Sequence, residues 1–410
     1  MIALQLIYRS KFSLFLAGYS ASLLGTAMSS VAIAFAVLGS GGTPTDLGVV
    51  FTANIAAMIA FLLGGGVLAD RLGRRLVMLA ADLVRCAAQG SLAVTVFLGQ
   101  PATWQFVAAA LVVGTGNTAF QPAISGLTVE LAPRGRLGDA NALLGLAQPA
   151  AQVAGPALGG ILIAATSPAV VIAADAASYA VSALALAAHR PPVAARDAGT
   201  PRTRSLARDL AEGWAEFTAR PWLWVPTAAF ALFNLFTWGP YLVLGPVLAR
   251  DYLGGARAWG VILACYGGGA IVGGLLALGR NTPRRRPARP LLVATLTTLG
   301  FPLPPLALAL HLPLLAVAGG ALLAGMGAAF GGAIESTLTQ QRVPGQALAR
   351  VSAYNMVGAF AFGPAAFAAA GPVAAAVGAR AVLGFGAGWA VLGTLAVLAV
   401  PSVRNVTWLD

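Results

Sequence analysis

Long runs of apolar residues, separated by short polar stretches, dominate this chain. One run extends from Leu47 to Ala69 without a charged side chain. A helix of about 20 apolar residues crosses the ~30 Å hydrocarbon core of a bilayer, and a segment that is apolar on every side is solvated by lipid. Only 9% of the residues are charged, whereas soluble domains carry about 25%. The sequence therefore predicts a membrane protein with many spans.

Twelve blocks are long enough to span the membrane. They predict helices at residues 12–38, 47–69, 76–98, 104–130, 140–165, 168–188, 222–249, 258–279, 290–310, 313–339, 347–370 and 378–400. We expect an all-α protein with an N-terminal six-helix bundle (1–188), a polar cytoplasmic linker (189–221) and a C-terminal six-helix bundle (222–410). Ala34-Phe35-Ala36 resembles a signal cleavage site. The first block is longer than the apolar core of a signal peptide, so we interpret it as an anchored helix.

Basic residues indicate the orientation. All but four of the 25 lysines and arginines fall on the side of the membrane that holds the amino terminus. Because basic loops stay inside, we expect both termini in the cytoplasm of a bacterial inner membrane, with the basic loops against anionic lipid. The alternative is nucleic-acid binding by Arg202, Arg204, Arg208 and the triplet 284–286. No groove-reading module accompanies these arginines, so we expect no nucleic-acid partner.

The residues that usually hold cofactors or metals are scarce. The single lysine, Lys11, belongs to no GxxxxGK[ST] phosphate-binding loop. The two cysteines, Cys86 and Cys265, lie within predicted spans, and the two histidines, His189 and His311, form no ligand cluster. We expect no cofactor, no metal site, no enzymatic activity and a monomeric protein. Any energy source must then be an ion gradient.

The two halves of the chain repeat weakly. Phe120 aligns with Phe330, and Gly155-Pro156 aligns with Gly363-Pro364 at a nearly equal shift. Two parallel six-span halves around a central site are one of the recurrent architectures of secondary transporters. The repeat therefore favours a transporter fold.

The connection between spans 2 and 3 carries a specific motif. It reads GVLADRLGRR and resembles the G-x-L-a-D-R-x-G-R-R/K signature of the major facilitator superfamily, with matches at Gly66, Leu68, Asp70, Arg71, Gly73, Arg74 and Arg75. The resemblance implies that Asp70 closes a cytoplasmic gate in the outward-facing state and that the arginines link it to Glu130 at the end of span 4. Alternatively, these charges only anchor a loop. The counterpart in the second half, GGLLALGRNTPRRRP, has no aspartate, so we expect an asymmetric gate.

Span 5 carries a second motif. AQVAGPALGG resembles the G-x-x-x-G-P-x-x-G-G motif of exporters in this superfamily, with matches at Gly155, Pro156, Gly159 and Gly160, whereas Ala151 replaces the first glycine. Proline cannot donate a hydrogen bond within the helix, so we expect a bend at Pro156. Ordinary packing of membrane helices is the alternative. Stretches such as FQPAISGLTVEL and ARVSAYNMVG are similar to the branch that contains macrolide efflux proteins and the enterobactin exporter.

Several charged residues fall inside predicted spans, where a charge at the bilayer centre costs roughly 3 kcal/mol or more. Asp82 and Arg85 are three residues apart on one helix face, so we interpret them as a structural ion pair. Asp175 and Glu335 have no obvious partner in their own helices. Burial disfavours a charged carboxylate, so either side chain is a candidate proton-coupling site. Alternatively, Asp175 lies near the outer end of a peripheral helix, and Glu335 pairs with Arg342 or Arg350.

The resemblance to the superfamily places a substrate cavity between spans 1, 4, 7 and 10. Its polar and aromatic candidates are Tyr19, Asn117, Gln121, Phe230, Asn234, Trp238 and Tyr241. Such residues suit a bulky, largely apolar compound held by stacking and a few hydrogen bonds. The alternative is that Trp238 and Tyr241 belong to the aromatic belt at the membrane surface.

These observations predict a transporter of the major facilitator fold. We expect it to export a hydrophobic drug or secondary metabolite by alternating access, in exchange for protons. The alternatives are export of a self-made siderophore or antibiotic, a lysophospholipid flippase of the same fold, and a membrane sensor or scaffold that transports nothing.

Overall fold

The computed structural model describes residues 11–72, 74–99, 101–132, 136–188, 214–280 and 287–408, and all the regular structure in these ranges is helical. The chain divides into two compact units. Unit 1 comprises Met1–Ala194 and Pro246–Ala264, and unit 2 comprises Ala195–Gly245 and Cys265–Asp410. The segment 246–264, which contains the end of the seventh helix and the start of the eighth, thus belongs to unit 1.

Six helices correspond to the first six predicted spans. They are α1 (Lys11–Gly39), α2 (Pro44–Leu72), α3 (Arg74–Phe97), α4 (Thr103–Leu131), α5 (Leu137–Ala165) and α6 (Pro168–Ala187). Helix α5 continues through both of its internal prolines, Pro149 and Pro156. Helix α6 begins with Pro168 in its first turn, where the missing N–H of proline would have no helical partner anyway.

The second half also contains six long helical segments, some of them interrupted. They are α7 (Pro221–Leu253), α8 (Ala256–Arg280), α9 (Pro290–Ala309), α10 (Leu314–Arg342), α11 (Gly345–Val377) and α12 (Ala379–Ala399), followed by the short α13 (Pro401–Arg404). A single helical turn at residues 214–218 precedes α7.

The fold class is confirmed. Among the residues that the structure describes, eleven helices are long and apolar enough to cross a membrane. The fourth predicted span, 104–130, corresponds to the 29-residue helix α4, in which only some of the side chains are described. The long apolar runs thus became helices at nearly the predicted positions, because a backbone in lipid must satisfy its own hydrogen bonds.

Helices α9 and α11 are broken where the sequence predicts single spans. Helix α9 passes through a 3-10 turn at Thr298–Gly300 and resumes at Leu303, because Pro302, Pro304 and Pro305 remove backbone donors there. Helix α11 stops at Phe360 and resumes at Gly363, just before Pro364. It also runs to Val377 rather than to residue 370.

Helix α7 contains two wide turns of π type, at Asn234–Trp238 and Ala249–Leu253. In the first of them the N–H of Gly239 bonds to the carbonyl of Asn234. Pro240, which follows at once, cannot donate a helical hydrogen bond, and a wider turn moves its ring away from the preceding carbonyls. The hydroxyl of Thr237 fixes this turn to α12 by donating to the Gly386 carbonyl at 2.7 Å.

Candidate functional site

Unit 2 contains a cavity of about 700 Å³ lined by residues of α7, α8, α9, α10, α11 and α12. Seven aromatic rings line it: Phe230, Phe233, Trp238, Tyr266, Phe301, Phe360 and Trp389. The polar lining residues include Thr227, Asn234, Thr295, Thr297, Thr298, Glu335, Ser336, Thr339, Gln340, Ser352, Asn355 and Thr394. This volume and this mixture of lining residues are typical of a site for a drug-sized organic molecule.

The aromatic lining is held in place by ring-to-ring contacts. The ring centroids of Phe233 and Phe301 lie 4.8 Å apart, and those of Trp238 and Tyr266 lie 5.2 Å apart. Phe233 also stacks on Trp238, with centroids 6.4 Å apart. These separations fall in the favourable range for aromatic pairs. The rings support one another and form a wall of fixed shape on which an apolar ligand can stack.

Several polar groups of the lining bond to the protein itself. The hydroxyl of Thr297 donates to a backbone carbonyl of its own helix, that of Ala294, at 2.7 Å. Asn234 Nδ2 donates to the Ala359 carbonyl at 3.0 Å, and Thr227 donates to Asn355 Oδ1 at 2.7 Å. The bonds of Asn234 and Thr227 join α7 to α11, and all three donors have their hydrogen bonds satisfied within the protein. Their bonding lowers the polarity that the cavity presents to a ligand.

Glu335 is the exception among these polar groups. Its half-buried side chain lines the cavity from α10. It makes no hydrogen bond or ion pair with any residue that the structure describes. Arg342, the partner that the sequence suggested, instead donates to the Thr407 carbonyl through Nε at 2.9 Å and Nη2 at 2.6 Å. The other suggested partner, Arg350, has a side chain outside the described residues. A carboxyl of this kind is open to a ligand or a proton.

Three of the predicted cavity residues, Phe230, Asn234 and Trp238, line this cavity. Tyr241 does not. It is buried in unit 2, 2% exposed, with its ring 5.6 Å from that of Trp238. The predicted stripe assumed a regular α-helix, but the wide turn at Asn234–Trp238 offsets the residues that follow it. The stripe therefore ends at Trp238.

The remaining predicted cavity residues belong to unit 1. Tyr19 is buried and stacks between Phe15 and Phe120, with ring centroids 6.2 and 6.1 Å away. Asn117 accepts a hydrogen bond from Arg85 Nη1 at 2.6 Å. The side chain of Gln121 lies outside the described residues. In unit 1, Tyr19 and Asn117 thus take part in packing and in a buried charge cluster.

The exporter-type motif lies on the packed face of α5. Gly155, Pro156, Gly159 and Gly160 are all buried. A Cβ atom on Gly159 would lie 2.9 Å from the Met28 carbonyl oxygen of α1, and one on Gly160 would lie 2.6 Å from the Ala256 carbonyl oxygen of α8. Only glycine permits such backbone approach. The motif therefore seals α5 against two neighbouring helices of unit 1.

Most of the predicted gate falls outside the described residues. This holds for Gly73, for the surroundings of Gly66 and for the side chains of Asp70, Arg71, Arg74 and Glu130, so the gate stays a prediction. Arg75 is described. Its Nε donates to the Leu186 carbonyl at 2.8 Å and its Nη2 to the Ala187 carbonyl at 2.9 Å. A cation there satisfies the last carbonyls of α6 and opposes the negative end of the helix dipole.

Arg85 and Asp82 form an ion pair within α3. Both are buried. The guanidinium also lies 5.0 Å from the ring centre of Phe120 and 4.4 Å from that of Tyr179. A buried charge is tolerated only when it is paired and hydrogen-bonded. The carboxylate, the amide of Asn117 and the two rings together supply that environment.

Asp175 lies beside this pair, buried in the middle of α6 and not near a helix end. Its Oδ2 accepts a hydrogen bond from Gln89 Nε2 at 2.8 Å, and the same nitrogen donates to Ser29 Oγ at 3.1 Å. The sequence reasoning missed Gln89. Its signal was present, because Asp82, Arg85 and Gln89 follow one another at spacings that share a helix face.

Comparison with known proteins agrees with this architecture. The sequence profile of the Major Facilitator Superfamily matches residues 12–368. Macrolide efflux protein A of Streptococcus pyogenes is 24% identical over 270 residues, which cover 66% of this chain and 66% of that protein, just under two thirds of its length.

Solved structures share the fold over almost the whole chain. A bacterial homologue of the human lysosomal transporter Spinster superposes with a TM-score of 0.70 at 14% identity, covering 98% of each chain. A variant of the nucleoside transporter NupG gives a TM-score of 0.71 at 13% identity, covering 97% of this chain and 99% of the other. Because the family profile extends from residue 12 to residue 368, the chain belongs to the Major Facilitator Superfamily.

Proposed function

We propose that this multi-pass membrane protein exports a bulky hydrophobic drug, of the size and character of a macrolide, in exchange for protons and by alternating access. The family and the fold indicate a transporter rather than an enzyme. One observation carries the choice of substrate class: the cavity of about 700 Å³ has an aromatic wall and one carboxyl, Glu335, that makes no bond with the described protein. The similarity to a macrolide efflux protein supports the same choice.

The proposal includes the arrangement that the sequence predicts. The bundles 1–188 and 222–410, joined by the linker 189–221, would alternate between inward-open and outward-open poses, with both termini in the cytoplasm of a bacterial inner membrane. Asp70 would close the inner side in one of the two poses. The close packing of the α5 glycines against α1 and α8 supports a tight seal within unit 1.

Protons can supply enough energy for this transport. At a proton-motive force of about 150 mV one proton delivers ~3.5 kcal/mol, which sustains a substrate gradient of order 300-fold. One titrating carboxyl is therefore sufficient. Asp175 and Glu335 are the two candidates, because both are acidic side chains within spans that lack an ion-pair partner among the described residues.

Expression in a bacterial host that lacks its own drug pumps tests the proposal. We expect the native protein to raise the inhibitory concentration of macrolides several-fold. We expect Glu335→Gln to lose most of that protection, because Glu335 is the one acid among the described residues that line the cavity. Glu216→Gln is the matched control, since Glu216 does not line the cavity and lies in a half-buried ion pair with Arg220. Protection that is absent in the native protein, or equal in both variants, would contradict the proposal.

A further inference from the structure

Unit 1 contains a buried polar cluster that the cavity does not use. Asp82, Arg85, Gln89 and Asp175 are each no more than 3% exposed, and Ser29 is equally buried beside them. The residues come from α1, α3 and α6. Three of them, Asp82, Arg85 and Asp175, are charged residue types within membrane spans, and the five side chains lie together.

The cluster carries an odd charge. It contains two carboxyls and one guanidinium, and the guanidinium of Arg85 is committed to Asp82 and Asn117. Asp175 forms no ion pair with the described residues, and its Oδ2 accepts a hydrogen bond from the neutral amide of Gln89. Its Oδ1 accepts no hydrogen bond within the described part of the chain. One net negative charge in a bundle interior has a high cost in free energy, and a proton is the smallest species that removes it.

Two glycines, Gly116 and Gly25, make room for the side chains of the cluster. A Cβ on Gly116 of α4 would lie 2.7 Å from Cδ and 2.8 Å from Cγ of Arg85. A Cβ on Gly25 of α1 would lie 2.9 Å from Asp175 Oδ1. Both distances are too short for real atoms, so neither position admits a larger side chain without displacing a charged group. The absence of side chains at Gly116 and Gly25 thus leaves room for Arg85 and Asp175 between the helices.

The side chain of Gln89 lies between Asp175 and helix α1, and its oxygen Oε1 accepts no hydrogen bond from the described residues. Its Nε2 donates to Asp175 and to Ser29, whereas its Oε1 has no partner among the described residues. An amide has a donor end and an acceptor end, and a rotation about its last bond exchanges them. The present orientation suits an ionised Asp175. The reversed orientation would accept a hydrogen bond from a protonated Asp175 and from the Ser29 hydroxyl.

We propose that Asp175, rather than Glu335, binds the coupling proton, and that Gln89 reverses its amide to follow the protonation of Asp175 and so transmits it to Ser29 on α1. In the binding step the carboxylate takes one proton from water and becomes a carboxylic acid, and in the release step the O–H bond breaks and the proton returns to water. Glu335 is left to the substrate. This inference rests on the proposed proton-coupled transport.

The groups facing Asp175 are few. From α3 they are Asp82, Arg85 and Gln89, and from its own helix they are Ser178 and Tyr179. From α1 the facing residues are Ser29 and Gly25, which carry no charge. Among these described groups, Asp175 is the only carboxyl without a cationic partner. A change of protonation within the cluster therefore falls on Asp175.

Infrared difference spectroscopy of the full-length protein in lipid vesicles tests this without any substrate. A protonated carboxylic acid has its own carbonyl stretching band, which disappears when the acid ionises. We expect a pH titration of the native protein to show such a band for a buried acid. It should be missing in Asp175→Asn, and unchanged in Glu335→Gln and in the surface control Asp251→Asn. In Gln89→Leu the acid band should persist to higher pH, because the amide no longer donates to the ionised form.

The control for folding is Asp175→Glu, which keeps an acid and should show a displaced band. The inference would be overturned if the acid band kept its full intensity in Asp175→Asn. It would also be overturned if Gln89→Leu did not change the pH at which the band disappears. Uptake of a radiolabelled macrolide is measured on the same vesicles. If the native protein transports no macrolide but the band behaves as expected, the proposed function fails while the proton site stands.

Discussion

The acidic side chains within the membrane spans have different surroundings in the two units. In unit 1 the carboxyls of Asp82 and Asp175 lie inside the helix bundle, bonded to neighbouring side chains. In unit 2 the carboxyl of Glu335 faces a cavity of about 700 Å³ and bonds to no described residue. An acid enclosed by protein can exchange little except a proton, whereas an acid at a cavity can also meet a cationic or hydrogen-bonding ligand. The difference suggests a division of labour between the units.

The aromatic residues show the same contrast. In unit 1 Phe120 and Tyr179 surround the guanidinium of Arg85 at 5.0 and 4.4 Å, so their faces are already used by a protein cation. In unit 2 Trp238 and Phe233 stack on one another and present the rest of their surface to the cavity. The two rings of unit 1 thus contact a buried cation of the protein, whereas the two rings of unit 2 are available to a ligand in the cavity.

Removing the cation of unit 1 should give the largest effect. Arg85→Leu leaves the buried carboxyl of Asp82 without its counter-charge, and breaking a buried pair on one side costs about 3 to 5 kcal/mol. We expect thermal unfolding of the purified protein at a clearly lower temperature. Further replacement of Asp82 by Asn should restore part of the loss. The matched control is Arg250→Leu, because Arg250 pairs with Asp251 at an exposed site, where a salt bridge contributes at most about 1 kcal/mol. Equal melting of the two variants would mean that the cluster carries no buried charge.

Trimming the aromatic wall of unit 2 should have a smaller effect, confined to the ligand. Trp238→Ala removes a ring that stacks on Phe233 and contacts the tilted ring of Tyr266, and such contacts are worth about 0.5 to 1.5 kcal/mol. We expect macrolide affinity to fall by up to about tenfold, measured by binding to the purified protein. Trp104→Ala is the control, since that ring is 67% exposed on α4. A fall of similar size in the control would place the ligand elsewhere.

The sequence predicted the helices well because length and apolar composition alone decide which segments cross a bilayer. The spacing of Asp82 and Arg85 likewise predicted a local contact, since residues three apart share a helix face. The breaks near Pro302 and Phe362 were missed, although the prolines that cause them are visible in the sequence.

Contacts between distant segments could not be predicted in this way. Gln89 bonds to Asp175, 86 residues away, and no local pattern reports such a pairing. The position of Tyr241 depended on a wide turn that hydrophobic periodicity does not detect. The hydrogen bonds of the polar residues that line the cavity of unit 2 could not be predicted for the same reason. Asn234 and Thr297, for example, donate to backbone carbonyls of other helices. The cytoplasmic gate around Asp70 remains a prediction.

The most direct test of this division of labour is transport of a radiolabelled macrolide by the purified protein in lipid vesicles, with and without an imposed pH gradient. We predict that the native protein follows the gradient. Asp175→Asn should lose the response to the gradient, yet continue to exchange labelled for unlabelled macrolide across the membrane, because its cavity in unit 2 is intact. Native transport that ignores the gradient, or an Asp175→Asn variant that follows it as the native protein does, would contradict the account.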